Sequence, residues 1–177
     1  MIKRTLFHEL IGDDPRNEVV QPKVLTPDSV NYFFIENGHV MEYYPCEEEK
    51  IIVMFFGPME LVPMSHLVCS RFQFFDDAMV GIVKHGDVFR LLRQDPDFAR
   101  MYREAEQDYR MKVAQRLYVL RNLGPRERFM HLLMSQAWVL EMVAEEDVAN
   151  YLDVSVNELR RIKRDEWRRP FVSIPYL

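Results

Sequence analysis

Between residues 31 and 83 the apolar positions come in short runs separated by turn residues. Asn31 to Tyr44 holds two β-branched and aromatic runs around Asn37-Gly38, a pair that tolerates the positive φ angles of a tight type I′ turn, so a β-hairpin is expected there. Lys50–Phe56 predicts a buried strand stopped by Gly57-Pro58, and Ala78–Val83 another, closed by His85-Gly86. Shorter strands are expected at Val19–Leu25, Glu60–Val62 and Arg71–Phe75. Short strands with turn signals about every 8–12 residues predict a small β-barrel or jelly roll.

From Asp87 the period changes to that of a helix. Asp87 as N-cap, followed by Val88, Leu91 and Leu92, predicts a short helix that Asp95-Pro96 interrupts. A long helix is expected over 97–123, with Phe98, Tyr102, Ala105, Tyr109, Val113, Leu117 and Leu120 forming a seam at steps of three or four. At 1.5 Å per residue it reaches roughly 40 Å, more than a small barrel can cover, so a symmetry mate in a homodimer is the expected partner. Gly124 is expected to close this helix as a left-handed cap, with Pro125 opening the next, which carries Phe129, Leu132, Leu133, Ala137 and Leu140 to about Glu141. The fold class is therefore α+β: a β-roll over 1–96, a dimerisation helix over 97–123 and a helical domain over 124–177.

Two short helices, Glu145–Leu152 and Ser155–Asp165, complete the chain, with Asp153-Val154 between them. Val148, Ala149 and Leu152 on the first, and Leu159 and Ile162 on the second, supply a shared core. Small Ala149 permits a close helix crossing, and Ser155 can cap the second helix. That pattern predicts a helix-turn-helix whose second helix enters the DNA major groove. Charge sharpens the picture. The whole chain carries −5, which by itself argues against a polyanionic partner, yet 156–169 holds six basic and three acidic residues. A local +3 thus sits on a body of −8, and a basic reading head is what phosphate contacts require.

The sequence resembles the Crp/Fnr family of bacterial transcription regulators. Glu146-Asp147-Val148-Ala149-Asn150-Tyr151-Leu152-Asp153-Val154-Ser155 is similar to that family's helix-turn-helix run, with Asp153 in place of the usual turn glycine. Leu159-Arg160-Arg161-Ile162-Lys163 resembles its recognition-helix stretch, and Leu123 to Phe129 its hinge. Tyr32–Tyr44 and Phe55-Phe56-Gly57-Pro58 fall where the family has the hairpin and flap of a cyclic-nucleotide-binding-like β-roll. The resemblance implies a homodimer that presents two recognition helices to successive major grooves about 34 Å apart, with RNA polymerase as a further partner. It implies that Ser155 holds a phosphate, that Val156, Asn157 and Arg161 face base edges, and that Arg160, Lys163 and Arg164 approach the backbone. Arg161 is the chief candidate, because a guanidinium pairs bidentately with guanine.

Two departures from the family pattern stand out. After Asp165 no second strand follows for a wing, so the tail is expected to pack through Trp167, Phe171 and Tyr176. The phosphate cassette of cyclic-nucleotide members is degenerate here. Gly57 and Glu60 are separated by Pro58-Met59, and Arg71 is followed by Phe72-Gln73-Phe74, so Glu60 and Arg71 are weak ligand candidates and no cyclic nucleotide is expected.

Other chemistry finds little support. Two cysteines, Cys46 and Cys69, cannot ligate an iron–sulfur cluster and are expected to be reduced thiols. His39, His66 and His85, with Cys46 or Cys69, could hold haem, but lone histidines among strands usually serve the surface, so neither haem nor another metal is expected. Met54, Met59, Met64 and Met79 are expected to fill core gaps. No catalytic motif is present, which argues against an enzyme. No run approaches the roughly 20 apolar residues of a membrane span. The first residues, Met1-Ile2-Lys3-Arg4, open no secretory signal, so a cytoplasmic location is expected. The alternative to a regulator is a dimeric β-roll sensor or scaffold for a protein partner or small effector with vestigial DNA-binding helices, favoured by the acidic turn Glu145-Glu146-Asp147.

Overall fold

In a computed structural model of the chain, the described residues are 24–25, 32–47, 49–63, 70–83 and 85–167. The strand expected from Val19 is described only as β1, Val24–Leu25. The other strands are β2 (Tyr32–Cys46), β3 (Glu49–Phe56), β4 (Leu61–Pro63) and β5 (Arg71–Val83). The helices are α1 (His85–Gln94), α2 (Pro96–Asn122), α3 (Pro125–Ser135), α4 (Trp138–Met142), α5 (Glu145–Leu152) and α6 (Val156–Trp167). The chain divides into two compact units, Met1–Arg116 and Leu117–Leu177.

In the first unit β2 is the spine of an antiparallel sheet of order β1-β5-β2-β3, with β4 also on β2. The hairpin expected at Asn37-Gly38 is not formed. β2 runs straight through that pair, and β5 pairs with it from Tyr32 to Tyr43, shifting register on either side of Asn37. Gly38 does take a positive φ of 83°, but to make a bulge. A Cβ there would lie 2.6 Å from the Ala78 Cα on β5, so the close approach of the neighbouring strand also demands glycine. On the other edge the Gly57–Glu60 break lies beside Ile35, whose N–H donates to the Glu60 carbonyl (2.9 Å) and whose carbonyl accepts from Met59 N–H (2.7 Å). The real hairpin joins β2 to β3 around Glu47, itself at φ 43°.

Successive residues of β2 point to opposite faces, and both faces are buried. Phe33, Ile35 and Val40 meet Met54, Phe56, Val62, Phe72 and Val80 in one cluster, while Phe34 joins Val88, Phe98 and Met101 in another. Phe33 and Phe72 are edge to face at 5.0 Å, a favoured ring geometry. Met54 fills the core as expected, whereas Met79 is exposed; Met64 lies outside the described residues.

Asp95 caps α2: its Oδ1 accepts from the N–H groups of Asp97 and Phe98, both at 2.9 Å. The seam expected to meet a second copy is used differently. Phe98, Ala105 and Tyr109 are buried in this unit, with Tyr102 and Val113 packed on the same clusters, because the sheet's apolar face needs a cover. Three polar contacts fix α2 to the sheet. The Tyr109 hydroxyl donates to buried Glu42 (3.2 Å), Arg116 donates to the Ile52 carbonyl (3.1 Å), and Lys112 pairs with Glu60. Burial raises the Glu42 carboxyl above its ordinary range, opposed by hydrogen bonds from Ser70 and Tyr109.

The second unit is built on a smaller core that includes Phe129, Leu132, Val139, Val148, Leu152, Leu159 and Ile162. Gly124 is not left-handed. It is the extended N-cap of α3 (φ −71°, ψ 165°), with Glu127 reaching back to its N–H at 2.8 Å and Pro125 opening the helix. The single helix expected to Glu141 breaks into α3 and α4 at Gln136-Ala137, leaving Ala137 exposed. Arg128 ties three segments together. Its guanidinium donates to the carbonyls of Leu120 (2.8 Å), Leu123 (2.8 Å) and Leu152 (3.0 Å), satisfying helix-end acceptors that would otherwise lack partners.

Candidate nucleic-acid interface

α5 and α6 form the two-helix unit expected from the sequence. Val148, Ala149 and Leu152 bury one side of α5, and Leu159 and Ile162 on α6 are buried with them. The turn holds without glycine. Asp153 adopts φ 53°, its N–H donates to the Asn150 carbonyl (3.1 Å), and the Val154 N–H donates to Ala149 (3.0 Å). Those two bonds are the Schellman pair that closes a helix. Asp tolerates the left-handed region better than most residues, so the turn closes on Asp153 without a glycine. Ser155 then caps α6: the Glu158 N–H donates to its Oγ at 3.2 Å.

The helical period sorts the candidate residues into two groups. Ser155, Asn157, Arg160, Arg161 and Arg164 are exposed, and Val156 is half-buried. Asn157, Arg161 and Arg164 recur at steps of three and four, so they share one outward face. Arg161 also lies 3.3 Å from Glu158 of its own turn. Lys163 departs from the expectation of a backbone contact. One turn beyond Leu159, it is 9% exposed and its ammonium lies 3.2 Å from Glu145 on α5. Glu145 also accepts from Arg160 Nε at 2.7 Å. The two cations hold the Glu145 carboxyl below its usual range, and Glu145 in turn raises Arg160. An acidic first turn of α5 was legible in the sequence; that Glu145 engages two cations 15 and 18 residues away was not. At the other end of α6, Arg126 pairs with Glu166. Trp167 is 70% exposed rather than packed, while Phe171 and Tyr176 lie outside the described residues.

The first unit holds a second candidate site, a cavity of about 310 Å³ lined by Phe34, Phe56, Met59, Glu60, Tyr109 and Lys112 among others. Two charged residues of its wall pair with each other: Lys112 contacts Glu60 and stands 5.1 Å from the Phe56 ring centroid, while Asp108 also lines the cavity. Glu60 and Arg71 sit at different points along β2. Glu60 bonds beside Ile35, whereas Arg71 is exposed and pairs with Tyr43, eight positions further along β2. His39 is half-buried, Cys46 is an exposed free thiol, and His66 and Cys69 lie outside the described residues. Among the described residues no group of three or more His, Cys, Asp or Glu side chains could hold a metal, and no helix is long and apolar enough to cross a membrane.

No family profile and no curated protein matches the sequence. Solved structures do share its fold. FixK2 from Bradyrhizobium japonicum aligns with a TM-score of 0.68 at 14% identity, covering 91% of this chain and 85% of its own. A protein of Eubacterium rectale described as a Crp/Fnr-family transcriptional regulator gives 0.68 at 13%, covering 90% and 81%. CLP of Xanthomonas campestris, described as a c-di-GMP-responsive global regulator, gives 0.66 at 13%, covering 93% and 91%. The chain therefore shares the fold of these structures, an antiparallel sheet followed by a helical C-terminal unit.

Proposed function

We propose that the protein is a sequence-specific DNA-binding transcription regulator of the Crp/Fnr type, and that it is not an enzyme. The observation that carries this reading is the outward face of α6, where Asn157, Arg161 and Arg164 stand exposed on a helix whose opposite side is buried against α5. Arg161 reads guanine O6 and N7, Asn157 reads adenine, and Val156 contacts a thymine methyl. Ser155, Arg160 and Arg164 serve the phosphate backbone, Arg160 once it leaves Glu145. Lys163 holds α5 and α6 together.

The protein acts as a homodimer through the outward side of α2, where Met111, Ala114 and Tyr118 are exposed at steps of three and four. RNA polymerase is the partner through which a bound dimer acts on transcription. Control by a cyclic nucleotide is not part of this reading, since Glu60 is engaged by Lys112 and bulky Phe72 and Phe74 follow an exposed Arg71.

Selection from random DNA with the purified protein at physiological salt tests the reading. It should enrich a near-palindrome with half-sites about one helical turn apart. Arg161→Ala should cost about 1–3 kcal/mol and relax one base pair per half-site. Retention that is blind to sequence would instead favour a protein-docking scaffold, the alternative to which the acidic first turn of α5 points.

A further inference from the structure

We infer that Glu145 is an internal counter-anion of the DNA-reading head, which suppresses sequence-blind binding and leaves base contacts to decide affinity. The inference rests on the proposed DNA-binding reading and concerns the same site. A helix N-terminus ordinarily attracts phosphate, because its free N–H groups and dipole favour negative charge. At α5 that position already carries Glu145, Glu146 and Asp147 in the first turn. A phosphate approaching there meets like charge rather than an empty anion site.

Glu145 does more than repel. It reaches across to α6 and engages both Arg160, at 2.7 Å, and Lys163, at 3.2 Å. These are two of the four basic residues between Val156 and Trp167, the span of α6. Arg160 is the consequential one, because its side chain is 57% exposed and stands within reach of a ligand. Lys163 has the more buried side chain, and its partner keeps it inward. Glu158, 3.3 Å from Arg161, does the same within α6 over a single turn. Arg164 is exposed and forms no ion pair among the described residues, so it remains the cation offered outright to the backbone.

The consequence is asymmetric. Sequence-blind binding is almost wholly a count of phosphates neutralised, with a salt slope of about 0.9 per contact. Neutralising Arg160 in advance therefore weakens binding to any DNA. At a cognate site, hydrogen bonds from Arg161 and Asn157 to base edges are added, and the tight fit can draw Arg160 off Glu145. The ratio of specific to non-specific affinity rises although the absolute affinity falls.

The test compares the full chain with its Glu145→Gln variant, near in shape but uncharged, on the selected palindrome and on a scrambled duplex across a salt series. Far-UV circular dichroism and the thermal midpoint establish that the variant is folded. The variant should bind scrambled DNA about tenfold tighter at low salt, with a slope steeper by roughly 1–2 per reading head, and the gain on the palindrome should be smaller. Arg160→Gln supplies an independent measurement. It should change non-specific affinity less than about twofold in the wild-type background, yet abolish most of the gain in the Glu145→Gln background. Equal losses in both backgrounds, or unchanged binding and slope in Glu145→Gln, overturn the inference while selective wild-type binding leaves the proposed function standing. Failure of every form to select a sequence overturns the proposed function and the inference with it.

Discussion

The two units hold themselves together by different means. In the β-roll, Phe33, Phe34, Phe55, Phe56 and Phe72 are all within 2% of full burial, and the sheet closes over apolar surface on both faces of β2. The helical unit has fewer large buried side chains. Its segments are joined in addition by charged groups at helix ends: Arg128 on three carbonyls, Glu145 across α5 and α6, and Arg126 on Glu166. Burial in the roll is non-directional and makes a stiff frame, whereas ion pairs at half-exposed sites are individually weak and exchange readily with other charges. Under the proposed function the helical unit gains from the second kind of bond, because a phosphate can take the place of a carboxylate.

Three substitutions test that contrast, and the tryptophans make it measurable, since Trp138 and Trp167 both belong to the helical unit. Phe33→Ala should have the largest effect, about 3–5 kcal/mol, through the cavity left among Phe72, Phe74 and their neighbours. The sheet signal in far-UV circular dichroism should report this loss, with the tryptophan transition moving less. Coincident shifts of both signals would erase the distinction between the units.

Arg128→Ala should cost about 2–3 kcal/mol, because helix-end carbonyls lose charged donors. Here the tryptophan transition in urea should move and the sheet signal should hold. An effect within error would show that water replaces the guanidinium without loss.

Glu42→Gln should have the smallest effect and the opposite sign. Burial raises the native carboxyl above its ordinary value of 4.5, so the native state binds more protons than the unfolded chain across that window. Wild-type stability therefore falls as pH rises from about 4.5 through the raised native value. A neutral amide lacks this loss. The variant's thermal midpoint should exceed wild type at pH 7, and the gap should close towards pH 4; parallel curves would mean that Glu42 is not the buried acid of the roll.

Much of this organisation could be read along the chain, and the misreadings are instructive. β3, α2 and the α5–turn–α6 unit fell within a residue or two of their expected bounds, because each is bounded by local chemistry: Gly57-Pro58, Asp95-Pro96, Gly124-Pro125 and the Ser155 cap. Asn37-Gly38 was misread because a positive φ serves a bulge as well as a turn. The α2 seam from Phe98 to Val113 turned out to cover its own sheet while Leu117 is exposed, because periodicity shows that a face is covered without showing by what. At the candidate interface the family resemblance pointed to Asn157, Arg161 and Arg164, and the structure leaves all three exposed. The inward position of Lys163 was not legible, since it depends on a carboxylate 18 residues earlier.

The sequence by itself thus determined the ends of β3, α2, α5 and α6, the cap of α6 and the concentration of positive charge upon it. These follow from interactions among residues a few positions apart, which the chain carries wherever it folds. Only the tertiary structure decided that β2 bulges instead of turning, that α2 covers its own sheet, and that Glu145 draws Arg160 and Lys163 to itself. Each of those outcomes joins groups distant in sequence, and their pairing is set by which surfaces the fold brings within a few ångströms.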